Sequence, residues 1–163
     1  MYDTLNYVLI VLWMLIVELS QTTRSLRDGR AVHLPDGSVI SIIEDDESVR
    51  LALKSLLNSI GLATHLFGSA EEFLQSPYVS ETSCLILDVQ MPGMGGVELQ
   101  RVLISEGLSM PIIFITAFPE ERIRTRVLEA GAICFLSKPF DEQVLLDCLA
   151  SALKRNKDAD PAR

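Results

Sequence analysis

This sequence predicts an α/β fold, a (βα)5 three-layer sandwich around a five-stranded parallel sheet. Two observations predict it. Five short apolar runs, rich in β-branched residues, alternate with five stretches of helical spacing between Val39 and Lys154. Strands that alternate with helices imply parallel pairing and right-handed crossovers. The central runs are also apolar throughout rather than alternating, as strands covered on both faces are.

The elements follow in order. Val39–Ile43 is the first strand, interrupted only by Ser41 and ending in Glu44-Asp45-Asp46-Glu47. Val49, Leu51, Leu53, Leu56, Leu57 and Ile60 then recur at helical spacing. Asp46 or Ser48 is placed to cap this helix, and Gly61 to end it. Ala63–Phe67 is a second, weaker strand. Ser69 with Glu72 three residues on is a capping box for a short helix to about Gln75. Cys84–Asp88 is the third strand, and its carboxylate is followed at once by a turn, Met91-Pro92-Gly93-Met94-Gly95-Gly96. A helix over Gly95–Glu106 carries Val97, Leu99, Val102, Leu103 and Ile104. Pro111–Thr116 is the fourth strand. Glu120–Ala130 is a helix with an open charged face, closed by Gly131. Ile133–Leu136 is the fifth strand, running into Ser137-Lys138-Pro139. Asp141 opens the last helix, from Glu142 to about Lys154, and a polar tail follows over 156–163. The layer order is flavodoxin-like, with one topological switch point.

Residues 1–37 differ from the rest. Tyr7–Val17 is an unbroken apolar run of eleven residues, and Leu5–Leu19 is nearly so. A membrane-spanning helix needs about 20 such residues. A secretory signal needs a basic start and a small-residue cleavage site, which this stretch lacks. Arg24, Arg27 and Arg30 follow the run, in the place the positive-inside pattern gives them for a short anchor. Three readings stand: translation from an upstream start, with Val32 the fitting native start; an anchor bringing membrane contact at residues 5–19; or an extra helix. Gln21–Ser38 reads as a flexible boundary. The unit that follows covers 38–155.

Composition narrows the function. Hydrophobic residues make up 48% and charged residues 22%, which excludes a disordered chain. The net charge is −8, and Ser38–Arg155 holds 16 acidic against 9 basic residues. Nucleic-acid contact by this unit is therefore not expected, because it needs a basic face. Cys84, Cys134 and Cys148 have no metal-ligand spacing, and the expectation is buried, reduced thiols in a cytoplasmic protein.

The chemistry lies at the strand ends. The first strand ends in Glu44, Asp45 and Asp46, the third in Asp88, the fourth in Thr116, and the fifth just before Lys138. A parallel sheet brings these ends to one edge. Several carboxylates there repel one another unless a cation joins them. Oxygen ligands without His or Cys favour Mg²⁺. A dication, the Lys138 ammonium and the Thr116 hydroxyl around Asp88 suit a phosphoryl group arriving on that carboxylate. Taken singly, each signal has a plainer meaning. Acids at a helix start favour the dipole, Lys-Pro is usually a turn, and a strand-end Thr is usually a bonded core edge. Together, each on its own strand, they make a site.

Over about Ser38–Arg155 the sequence resembles the receiver domain of bacterial two-component response regulators. The marks are Ile42-Ile43-Glu44-Asp45-Asp46, Leu87-Asp88-Val89-Gln90-Met91-Pro92-Gly93-Met94-Gly95-Gly96, Phe114-Ile115-Thr116-Ala117 and Phe135-Leu136-Ser137-Lys138-Pro139-Phe140. Val49-Arg50, Ser69-Ala70-Glu71-Glu72-Phe73-Leu74 and Lys138-Pro139-Phe140-Asp141 are most similar to the nitrogen-fixation and nodulation branch. Regulators of that branch carry a C-terminal helix-turn-helix output domain, and none is expected in these 163 residues.

The resemblance implies that Asp88 accepts a phosphoryl group from a sensor histidine kinase. It implies Mg²⁺ on Asp45, Asp88 and the Gln90 backbone carbonyl, with Glu44 acting mostly through water. Lys138 would pair with the phosphoryl oxygens and Thr116 would be drawn to them. Phe135 occupies the aromatic switch position and, as Phe, can act by packing alone. Gln90 and Phe118 match positions that tune dephosphorylation, and Pro139 would follow a cis bond. The face of the fourth helix, fifth strand and fifth helix (α4-β5-α5) would bind a second copy or a target protein. The chain would not be a turnover enzyme.

Three rivals stand against this. A degenerate receiver would bind partners without phosphorylation, but every key position here is filled. An aspartate-nucleophile phosphohydrolase places its nucleophile on the first strand with a second Asp two residues on; here Asp88 is on the third, followed by Gln90. An FMN carrier needs a hydroxyl- and Gly-rich loop after the first strand, where this chain has four acids.

Overall fold

The computed structural model describes residues 37–159. The expectations for 1–36 and for the end of the tail lie outside them. Five strands, β1 (Val39–Ile43), β2 (Ala63–Phe67), β3 (Cys84–Asp88), β4 (Ile112–Thr116) and β5 (Cys134–Ser137), form one sheet in the order β2-β1-β3-β4-β5, all parallel. Five helices alternate with them: α1 (Glu47–Ser59), α2 (Ala70–Gln75), α3 (Gly96–Ser105), α4 (Glu121–Glu129) and α5 (Glu142–Ala159). A 3-10 turn, Val79–Glu81, precedes β3, and no sequence pattern signals it.

Two cores flank the sheet, because alternate residues of each strand face opposite layers. Ile40, Ile42, Ile86, Ile113 and Ile115 meet α1 and α5 through Leu53, Leu56, Leu57, Leu145 and Leu149. Ile43, Leu85, Leu87 and Phe114 meet the other layer through Phe73, Leu99, Leu103 and Val127. Every residue of β3 and of β4 is buried, as expected for central strands.

The local signals resolve individually. Asp46, not Ser48, caps α1, accepting from the N–H groups of Ser48 and Val49. The Ser69–Glu72 box forms as expected: Ser69 Oγ accepts from Glu72 N–H and the Glu72 carboxylate from Gly68 N–H. The last helix runs to Ala159, past the expected end near Lys154, so the expected tail from 156 begins as helix.

One expectation is overturned. Cys134 and Cys148 are joined in a disulfide, with Cα atoms 6.1 Å apart, rather than being separate reduced thiols. The cause is packing: α5 lies over β3 and β4 beside β5, and Cys134 and Cys148 both face the core layer between helix and sheet. Fourteen residues of separation hide that meeting in the sequence. Cys84 is the free, buried thiol that was expected, and burial pushes its pKa up to about 12.

No helix among the described residues is long and apolar enough to cross a membrane.

Candidate functional site

The carboxyl edge of the sheet gathers the predicted residues. β1 and β3 pair in register, so Glu44 and Asp88 leave adjacent strands at the same level. A cavity of about 750 Å³ opens there, lined by Glu44, Asp45, Asp88, Gln90 and Lys138, with Met91, Pro92 and Phe118 on its apolar side. One carboxylate oxygen from each of Glu44, Asp45 and Asp88 lies within 4.8 Å of the others.

Lys138 reaches this cluster from the far side of β4. Its N–H donates to Thr116 O at 2.7 Å, which extends the β4–β5 ladder one step and aims the side chain inward. The ammonium sits 2.6 Å from Glu44 Oε2 and 3.5 Å from Asp88 Oδ2. The following peptide, Lys138–Pro139, is cis.

Burial dominates the electrostatics. Glu44 is 1% exposed and Asp88 6%. Desolvation pushes the Glu44 carboxyl up to about 7; Lys138 opposes this and the Asp88 charge adds to it. Asp88 is also raised, first by desolvation and then by Asp45, against the pull of Lys138 and of the Gln90 N–H. A single ammonium therefore does not balance three acids. That imbalance, and the all-oxygen donor set, fit a hard dication such as Mg²⁺.

Other predicted residues are placed differently. The Gln90 N–H donates to Asp88 Oδ1 at 3.4 Å. Thr116 ends β4 fully buried, and its hydroxyl accepts from Phe118 N–H at 3.1 Å rather than touching Asp88. Phe135 is partly buried against the α3–α4 layer.

Two residues were quoted above only as marks of resemblance, and the structure gives them roles. The Arg50 guanidinium, on α1, donates to the carbonyls of Glu44 and Asp45 and so holds the acidic loop. Glu71 Oε1, on α2, accepts from Met94 N–H at 2.8 Å and holds the loop after Asp88. Helical spacing shows neither, since both partners are backbone groups of other elements. Gly96 is explained by close approach: a Cβ there would lie 2.2 Å from Asp88 O.

Residues 40–150 match the response regulator receiver domain. The chain belongs to that family. Nodulation protein W of Bradyrhizobium diazoefficiens is 42% identical over 120 residues, covering 74% of this chain and 53% of that protein. The response regulator StyR has a similar structure, with a TM-score of 0.72 and 41% identity over 77% of this chain and 64% of that one. The crystal structure of FixJ-N gives 0.65 and 32%, covering 72% and 94%. The chain spans about half the length of the curated relatives it matches. It is thus a FixJ-like receiver domain, a part of phosphorylation-dependent two-component signalling, from a family that binds Mg²⁺ at an acidic pocket.

Proposed function

We propose that this chain is a switch in which Asp88 accepts a phosphoryl group from the phosphohistidine of a sensor histidine kinase. The observation that carries the reading is the buried Asp88 carboxylate, beside the Lys138 ammonium and two further acids in one open cavity. An Asp88 oxygen attacks phosphorus, the P–N bond breaks, and the imidazole leaves. Glu44, Asp45, Asp88 and the Gln90 backbone carbonyl would hold Mg²⁺. Mg²⁺ supplies the positive charge that the phosphoryl oxygens need beside these acids. Lys138 turns from Glu44 toward the phosphoryl oxygens. Thr116 gives up the Phe118 N–H and donates to the phosphoryl group, and Phe135 repacks beside it. The α4–β5–α5 face then changes shape toward a second copy or a target protein. Asp88 is regenerated by hydrolysis, so the chain acts as a phosphoacceptor rather than a turnover enzyme. The cytoplasm, where such kinases present their phosphohistidine, is the proposed location.

Incubation with acetyl phosphate and Mg²⁺, followed by intact mass, tests this. One phosphoryl adduct is expected, absent in Asp88→Asn. No adduct on the wild-type chain would instead make it a phosphorylation-independent binding module.

A further inference from the structure

The disulfide does more than join two elements. Cys134 and Cys148 lie on either side of Lys138, so their bond closes a ring that contains the ammonium bound to Glu44 and Asp88. Cys134 lies on β5, an edge strand, and is only partly buried. Its neighbour Phe135 packs on the opposite face of the sheet, toward α3 and α4. Cys148 is 7% exposed, whereas Cys84 is fully enclosed. The three cysteines thus differ in reach: Cys134 is partly exposed, Cys148 is buried directly behind it, and Cys84 is out of reach of both.

We propose that Cys134 and Cys148 form a reversible redox site for a small-molecule disulfide of the glutathione type, and that its state sets the freedom of the segment carrying Lys138. The Cys134 thiolate attacks the small disulfide, forming a mixed disulfide and releasing one thiolate. The Cys148 thiolate then attacks Cys134 Sγ, forming the intramolecular bond and releasing the second. Two electrons pass from the protein to the small disulfide, and the protons of the two protein thiols end on the two released thiols. The closed ring holds β5 to α5 and removes conformations from the intervening segment. Lys138 is then held in place before the phosphoryl group arrives, which favours transfer. The effect on transfer rests on the function proposed above; the redox couple and the change in mobility do not.

The test equilibrates the whole chain in mixtures of reduced and oxidised glutathione, then alkylates it under denaturing conditions and weighs it. Conversion between three labels and one across the mixtures is expected, because the chain has three cysteines. A label count that stays constant would overturn the proposal. Hydrogen exchange of amides 135–147 should be about tenfold faster in the reduced form, and equal exchange would overturn the claim on mobility. Acetyl phosphate should phosphorylate the oxidised form about threefold faster, and equal rates would overturn the link to Lys138. The Cys134→Ala/Cys148→Ala variant should behave as the reduced form in every mixture; if it does not fold, the reduced wild type supplies the comparison. If neither redox form takes a phosphoryl group, the proposed function fails, while labelling and exchange still judge the redox site.

Discussion

Lys138 and Glu44 are 94 positions apart in the chain and 2.6 Å apart in space. This contact is closer than that of Lys138 with Asp88, at 3.5 Å. In this arrangement the ammonium lies closer to an acid of β1's carboxyl end than to the proposed phosphoacceptor, and is ion-paired with both. Glu44 therefore competes for Lys138 until a dication takes over its charge.

Lys138→Ala follows from that competition. Without the ammonium, a dication meets less repulsion and finds Glu44 without its ion partner, so Mg²⁺ should bind about tenfold tighter. Phosphorylation by acetyl phosphate should fall about 100-fold, because a charge on the transferring group is lost. Mg²⁺ titration by calorimetry and adduct formation by mass check both. Weaker Mg²⁺ binding would show that Lys138 organises the acids instead of opposing the metal.

The pH dependence has a definite sign. Burial raises the Glu44 carboxyl from 4.5 to about 7, so across that window the folded chain holds more protons than the unfolded one. Metal-free stability should thus fall as pH rises through the window, and Asp88, shifted the same way, adds to the fall. Mg²⁺ displaces the proton, so its affinity should climb with pH over the same range and level off above it. Urea unfolding in chelator and Mg²⁺ titrations, each on both sides of the window, check the two slopes.

Asp88→Asn should leave the fold intact and stabilise the metal-free chain by about 1 kcal/mol. It removes one buried charge from a crowded cluster, while an amide oxygen can still accept from the Gln90 N–H. Urea denaturation measures the difference. Loss of the fold would mean that Asp88 is structural.

Gly96→Ala should be costly where the neighbouring Gly107→Ala is limited to backbone strain. The added carbon at 96 meets the Asp88 carbonyl at 2.2 Å, while at 107 no atom lies within 4 Å. A loss of about 2 kcal/mol or more is expected at 96, with a displaced Asp88 and weaker Mg²⁺ binding. Urea midpoints and Mg²⁺ titration read it.

Much of this was legible in the sequence because the signals are local. The apolar runs mark all five strands to within a residue, Asp88 and Thr116 are the last residues of theirs, and Glu44 and Lys138 directly follow theirs. The Ser69–Glu72 box works within four residues. Arg50 and Glu71 were not legible as site residues, because each bonds a main-chain group brought near by another element.

The sequence by itself determined the βα alternation, the sheet edge on which the polar residues gather, and the acid excess that calls for a cation. Tertiary structure alone decided the strand order β2-β1-β3-β4-β5, the closer approach of Lys138 to Glu44 than to Asp88, and the pairing of Cys134 with Cys148. The reason is physical. Periodicity and capping act over one helix turn or one strand. Which ends meet, and at what distance, depends on crossover paths and on register, which no single stretch of the chain encodes.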